Sequence, residues 1–176
     1  MKALPTTYNG KKYRSATEAK WHAYFDLIGF EVIHEHDAYN INGRNYLPDF
    51  MASKGMGFDY YEGHKNKNTP WFVEVKGCED KALDEFEFMQ EFSKETNSLV
   101  SLVWGEPSVR PFPTWLKGDA ICPSIYCHYG FTRKGWSEPY YCEDELEQSA
   151  YSTDKNFECL NRVRCGHRSR RGELVV

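Results

Sequence analysis

The sequence has no run of about 18 apolar residues, the length at which a membrane-crossing helix becomes plausible, so contact with a membrane interior is not expected. Its opening stretch, MKALPTTYNGKKYRS, lacks an apolar segment of secretory length, and the expectation is a soluble, unexported chain that works in a cytoplasm. There is no excess of basic charge. Lys and Arg number 22 against 26 Asp and Glu, a net charge of -4, so contact with a polyanion has to come from local patches. No internal repeat or low-complexity tract occurs, which excludes a solenoid. Before residue 120 the only cysteine is Cys78, while Cys122, Cys127, Cys142, Cys159 and Cys165 follow it. Without a secretion signal these read as thiols or metal ligands, not as a disulfide framework.

What is present is enough for a core. The chain has 176 residues, with 40% hydrophobic, 16% aromatic and 27% charged side chains, which suits one domain with an extension. Residues 1–118 alternate helix and strand signals, whereas 119–176 are rich in Cys, His, Gly and Tyr with little periodicity. A soft boundary is placed near Gly118.

Trp21, Tyr24, Phe25 and Ile28 fall at helical spacing, so a helix is expected over Ser15 to Ile28 with Gly29 as its stop. A strand over Phe30 to Glu35 follows. A hairpin is expected next, with Asn42-Gly43 as the turn between Tyr39–Ile41 and Arg44–Phe50. Glycines and polar residues from Lys54 to Thr69 predict a long loop, and Trp71 to Lys76 a strand. Asp80 to about Glu95 reads as a helix with Leu83, Phe86 and Met89 or Gln90 on its apolar face and a solvated acidic face. Leu99 to Trp104 reads as a buried strand ended by Gly105. This order predicts an α/β protein, an α+β mixed sheet covered by helices.

Three segments hold charge beside apolar residues: Ser15-Ala16-Thr17-Glu18, Leu47-Pro48-Asp49-Phe50 and Trp71-Phe72-Val73-Glu74-Val75-Lys76. In the last, strand alternation places Phe72, Glu74 and Lys76 on one face. Buried charges need partners, and a hard divalent cation is one: Asp49 and Glu74 supply oxygen ligands for Mg²⁺, and Lys76 can hold or help deprotonate a water. The plainer alternatives are that Ser15 and Glu18 form a capping box, that Asp49 is a turn residue, and that Glu74 with Lys76 is a solvated ion pair.

Pro48-Asp49, 24 intervening residues and Glu74-Val75-Lys76 resemble the signature of the PD-(D/E)xK, restriction-endonuclease-like nuclease superfamily. The Ser15 to Glu18 helix start, Gly29-Phe30, Glu35 and Tyr46-Leu47-Pro48-Asp49-Phe50 resemble its phage-encoded members, over residues 13–105. The resemblance implies an αβββαβ core, with Asp49 and Glu74 on a catalytic Mg²⁺ that Mn²⁺ can replace. It implies that Glu18 is an additional acid at that metal and that Lys76 positions the attacking water. Glu35 matches an acid that relatives have before a proline, where this chain has His36. The glutamine-and-tyrosine motif of some exonuclease branches is missing, since Gln90 is followed four residues later by Lys94. The activity implied is DNA phosphodiester hydrolysis, an endonuclease in phage DNA processing, recombination or host DNA degradation, with a homodimer as one arrangement. A non-cleaving nucleic-acid or protein binding module on the same fold is the alternative.

His22 is expected on a partly exposed helix face, and His34 and His36 at a strand edge. In the extension, Cys122, Cys127, His128, Cys142, Cys159, Cys165 and His167 supply enough ligands for one structural Zn²⁺, and reduced buried thiols are the other reading. The segment RVRCGHRSRR, Arg162 to Arg171, is a dense basic patch suited to phosphates.

Overall fold

The computed structural model describes residues 5–52, 69–108 and 112–122, together with the short paired segments 131–132, 135–136, 167–168 and 174–175. These residues form a mixed α/β protein with a six-stranded mixed sheet and three helices.

The chain opens with a hairpin, β1 (Thr6–Tyr8) and β2 (Lys11–Tyr13), around Asn9-Gly10. Both turn residues have positive φ, 47° and 75°, the backbone that Asn-Gly adopts most readily. Helix α1 (Ala16–Ile28) follows, with the Ser15 hydroxyl accepting from the Glu18 N–H and Gly29 closing it in the left-handed conformation at φ 74°. Trp21, Tyr24 and Phe25 are wholly buried, as their spacing predicts.

Next come β3 (Val32–His34), the hairpin β4 (Tyr39–Ile41) and β5 (Arg44–Tyr46), β6 (Phe50–Ala52) and β7 (Trp71–Lys76). Then α2 (Glu79–Leu83) and α3 (Phe86–Glu95) lead to β8 (Leu99–Trp104), β9 (Thr114–Leu116) and β10 (Asp119–Cys122). The sheet runs β10-β9-β8-β7-β6-β3, with β7 and β8 parallel and every other neighbour antiparallel. The two helices between β7 and β8 form the crossover that a parallel pair requires. Two small hairpins lie further on, β11 (Phe131–Thr132) with β12 (Gly135–Trp136), and β13 (His167–Arg168) with β14 (Leu174–Val175).

Strand β7 explains the two-sided cover. Trp71 meets Phe30 at the end of α1 with ring centroids 5.0 Å apart, and its neighbour Phe72 meets Phe92 of α3 at 5.2 Å. Adjacent residues of a strand point to opposite faces, so α1 and α3 cover opposite sides of the sheet. Every residue from Trp71 to Val75 and from Leu99 to Trp104 is buried, the signature of central strands.

Several expectations change. The run Arg44 to Phe50 is two strands: β5 pairs only with β4 in a separate two-stranded sheet, and after Leu47-Pro48 the chain enters the main sheet as β6. Pro48 cannot donate to a ladder, which is the physical reason for the break. The strand expected over Phe30 to Glu35 is shorter, because Glu35 has φ 49° and leaves the extended region. The helix expected over Asp80 to Glu95 is interrupted at Asp84-Glu85, and Leu83, expected inside, is 52% exposed. Gly118 falls in the turn joining β9 to β10, so the sheet continues to Cys122.

Of the long loop, only Thr69 is among the described residues. Cys127, His128, Cys142, Cys159 and Cys165 lie outside them, as do the side chains of Cys122 and His167, so the Zn²⁺ expectation falls outside the described structure. The Arg162 to Arg171 patch does too, apart from the backbone of His167 and Arg168.

Candidate active site

Strand register assembles the site. Phe50 pairs with His34 on one side and with Val73 on the other. The next level of the sheet therefore holds Glu35, Asp49 and Glu74, one from each of three adjacent chain segments. The Glu35 N–H donates to the Asp49 carbonyl at 3.0 Å, which continues the β3–β6 pairing by one step.

Asp49 and Glu74 are tied through each other's backbone. The Val75 N–H donates to Asp49 Oδ2 at 2.8 Å, and the Asp49 N–H donates to Glu74 Oε2 at 3.4 Å. Both are buried, at 2% and 5% exposure, so Asp49 is no simple turn residue and Glu74 no solvated strand residue. Tyr46 donates its hydroxyl to Glu74 Oε2, and Lys76 donates to Glu74 Oε1 at 2.8 Å. Lys76 Nζ also lies 3.9 Å from Glu85, which turns inward from the otherwise solvated acidic helix and takes Arg44 at 2.7 Å.

Glu18 arrives from the first turn of α1. Ser15 Oγ donates to its Oε1 at 2.8 Å, and its Oε2 accepts the Arg14 N–H at 3.1 Å. The capping arrangement is thus present, reaching one residue further back than the N-cap amide, and it coexists with burial of Glu18 beside the sheet. Arg14 stands among the acids: Nη2 is 2.5 Å from Asp49 Oδ1, and Nε is 3.1 Å from Glu35 and 3.9 Å from Glu18.

Burial, reinforced by the charges of Glu74 and Glu18, pushes the Asp49 carboxyl well above its usual range, and the Val75 N–H and Arg14 offset this only partly. Burial also works to raise Glu18, but the facing His34 ring, the Ser15 hydroxyl, the Arg14 charge and the Arg14 N–H outweigh it and hold Glu18 low. For Lys76, burial favours the neutral amine, while Glu74 and Glu85 outweigh it and keep the ammonium. Tyr46 is pushed far up by burial and by Glu74, so its hydroxyl stays a donor.

One histidine differs from expectation. His22 is buried against the Tyr13 hydroxyl instead of partly exposed. His34 lies on the edge strand β3, as expected, yet its side chain is only 9% exposed, its Nε2 is buried without a hydrogen bond, and that nitrogen lies 3.9 Å from Glu18 Oε2. His36 is 37% exposed and pairs with Asp37. The sequence marks Arg14, with Lys11 and Lys12, only as positive charge flanking the cleft, and nothing in it brings Tyr46 or His34 to the site. Tyr46 stood within the matched segment, but nothing in its spacing shows that its hydroxyl crosses from a different sheet.

Among the described residues, no group of three or more His, Cys, Asp or Glu side chains is gathered so as to hold a metal ion. The donor chemistry nonetheless fits a hard cation. Three buried carboxylates, Glu18, Asp49 and Glu74, lie here, and burial, reinforced by the charges of the other two, pushes Asp49 toward its neutral form. No helix among the described residues is long and apolar enough to cross a membrane. No family model, curated protein or solved structure matches the chain.

Proposed function

We propose that the chain is a divalent-metal-dependent nuclease that hydrolyses phosphodiester bonds in DNA, on a restriction-endonuclease-like core. The observation that carries this reading is the register of β6 on β7, which sets Asp49 opposite Glu74, two buried carboxylates far apart in sequence, with Lys76 beside them. Glu18 from α1 completes the acidic set.

Asp49, Glu74 and Glu18 would hold Mg²⁺, with Mn²⁺ as a substitute. When bound, such a cation supplies Lewis acidity toward a phosphoryl oxygen and lowers the pKa of a water. The chain's own groups do the rest. Val75 fixes one oxygen of Asp49 and leaves Oδ1 directed into the site. Tyr46 fixes one oxygen of Glu74. Lys76 Nζ, tethered to Glu74 Oε1, is placed to orient a water for attack on phosphorus. Lys11 and Lys12, exposed on β2 just before Arg14, supply positive charge beside the acids, which the overall charge of the chain does not. Double-strand scission by one such site per chain calls for a second copy, so a homodimer belongs to this reading.

The test is nicking of supercoiled plasmid in Mg²⁺, in Mn²⁺ and in EDTA. Cleavage is expected with either cation and not in EDTA, and Asp49→Ala, Glu74→Ala and Lys76→Ala are expected to reduce it to background while far-ultraviolet circular dichroism is unchanged. Variants as active as the native sequence would overturn the reading. DNA binding without cleavage in any cation would make the chain a binding module.

A further inference from the structure

Arg14 bridges the acidic cluster from its solvent side. One guanidinium touches carboxylates from three parts of the chain, Asp49 before β6, Glu35 after β3 and Glu18 in α1. The oxygen it holds most closely, Asp49 Oδ1, is the one that the backbone leaves unbound, since Oδ2 is committed to the Val75 N–H. The guanidinium therefore sits on the oxygen that a cation at this site needs.

The two sides of the contact are unequally held. The Asp49 and Glu18 side chains are 3% and 8% exposed, whereas that of Arg14 is 56% exposed. The acids are part of the core, and the arginine reaches in from solvent. Its backbone is anchored separately, by the N–H bond to Glu18 Oε2, so the side chain can withdraw while the main chain stays in place. Charge works in the same direction. Glu18, Glu35, Asp49 and Glu74 face Arg14 and Lys76, so acidic groups outnumber basic ones, and a divalent cation in place of a monovalent guanidinium favours ionised Asp49 and improves the balance.

We infer that Arg14 is an internal counter-ion that holds the cation position in the metal-free protein and is displaced from Asp49 when a divalent cation binds. The inference rests on the metal site of the proposed nuclease. The competition sets the apparent affinity of that site: the cation has to replace a bound charge, and removing that charge tightens binding.

Calorimetric titration with Mg²⁺ alone, without DNA, tests this on the full chain, its Arg14→Gln variant and its Asp49→Asn variant. Arg14→Gln is expected to bind Mg²⁺ at least about 5-fold more tightly, the factor that one unit charge at about 4 Å gives under full aqueous screening. Asp49→Asn is expected to lose binding. In EDTA, Arg14→Gln is expected to melt below the native sequence and to gain more in melting temperature from saturating Mg²⁺. A second measurement needs no folded Gln variant. The Arg14 Nη–H resonances of the native sequence, Nη2 being the nitrogen on Asp49, should exchange slowly with solvent in EDTA and rapidly in saturating Mg²⁺. Asp49-dependent Mg²⁺ binding that is equal or weaker in Arg14→Gln, or that leaves the Arg14 resonances unchanged, overturns the inference and leaves the nuclease reading standing. Absence of Asp49-dependent binding in both proteins removes the metal site and the inference together.

Discussion

The Tyr46 hydroxyl donates to Glu74 Oε2 at 2.5 Å from a strand that is not in the sheet carrying Glu74. The small β4–β5 hairpin thus acts as a side support for a charged group in the main sheet. Tyr46→Phe keeps the ring contacts with Phe88 and Phe92 and removes only the donor. It should lower stability by about 2 kcal/mol, as for a buried hydrogen bond to a charged group. It should also weaken Mg²⁺ binding and cleavage by about 10-fold, the scale on which outer supports of a metal ligand act. Chemical denaturation and Mg²⁺ titration of the variant check both figures.

Burial pushes His22 down to about 4, with Asp26 opposing the shift. In the unfolded chain it returns to about 6.5. Between these values the unfolded state holds the extra proton, so this contribution to stability is complete above about pH 6.5 and declines as the pH falls toward 4. At about 1.4 kcal/mol per pKa unit, the loss approaches about 3 kcal/mol. Urea denaturation at pH 7 and at pH 4.5 should show a smaller drop for His22→Phe than for the native sequence, and equal drops would refute the assignment.

Trp21 is wholly buried, meets Phe25 and Phe112, and donates its indole N–H to the Gly105 carbonyl at 3.0 Å. Trp21→Ala should cost about 3–5 kcal/mol, through the cavity and the lost donor together. Its denaturant midpoint is the measurement, and a shift worth less than about 1 kcal/mol would mean that the face of α1 is not packed as described.

The turn between β9 and β10 has Lys117 at φ 55° and Gly118 at φ 88°. A Cβ at Gly118 would stand 2.8 Å from Lys94 Cβ, and its N–H donates to Ser93 Oγ at 3.1 Å. Gly118→Ala should therefore destabilise by about 1–3 kcal/mol. Lys117→Asn should raise the melting temperature, because Asn tolerates the left-handed region better than Lys does. Thermal unfolding of the two variants should move in opposite directions.

Elements with strong local chemistry were legible in the sequence. The α1 face of Trp21, Tyr24 and Phe25, its Ser15 and Gly29 ends, and the buried strands β7 and β8 follow from periodicity and capping. The turn at Asn9-Gly10 carries the same signal as Asn42-Gly43, but Thr6–Tyr8 and Lys11–Tyr13 have little apolar alternation to mark strands beside it. Asp49, Glu74 and Lys76 were legible as charges among apolar neighbours. Arg14 and His34 were not, because their places depend on the register of β3 against β6 and on the reach of a long side chain, and neither leaves a periodic trace. The interruption at Asp84-Glu85 was hidden because both residues tolerate a helix, and because Glu85 is drawn instead toward Arg44 and Lys76.

The placement of β7 between an earlier antiparallel partner and a later parallel one has a consequence during synthesis. A ribosome releases the acids in the order Glu18, Glu35, Asp49 and Glu74, but the strand that carries Glu74 and Lys76 has only one neighbour until Leu99 to Trp104 has emerged. Until then a half-paired strand would have to bury charge without its full apolar surroundings, which is unfavourable. The acidic centre is therefore expected to close only after β8 docks. A chain halted between residues 85 and 99 carries every residue of the centre but lacks the strand that completes its surroundings.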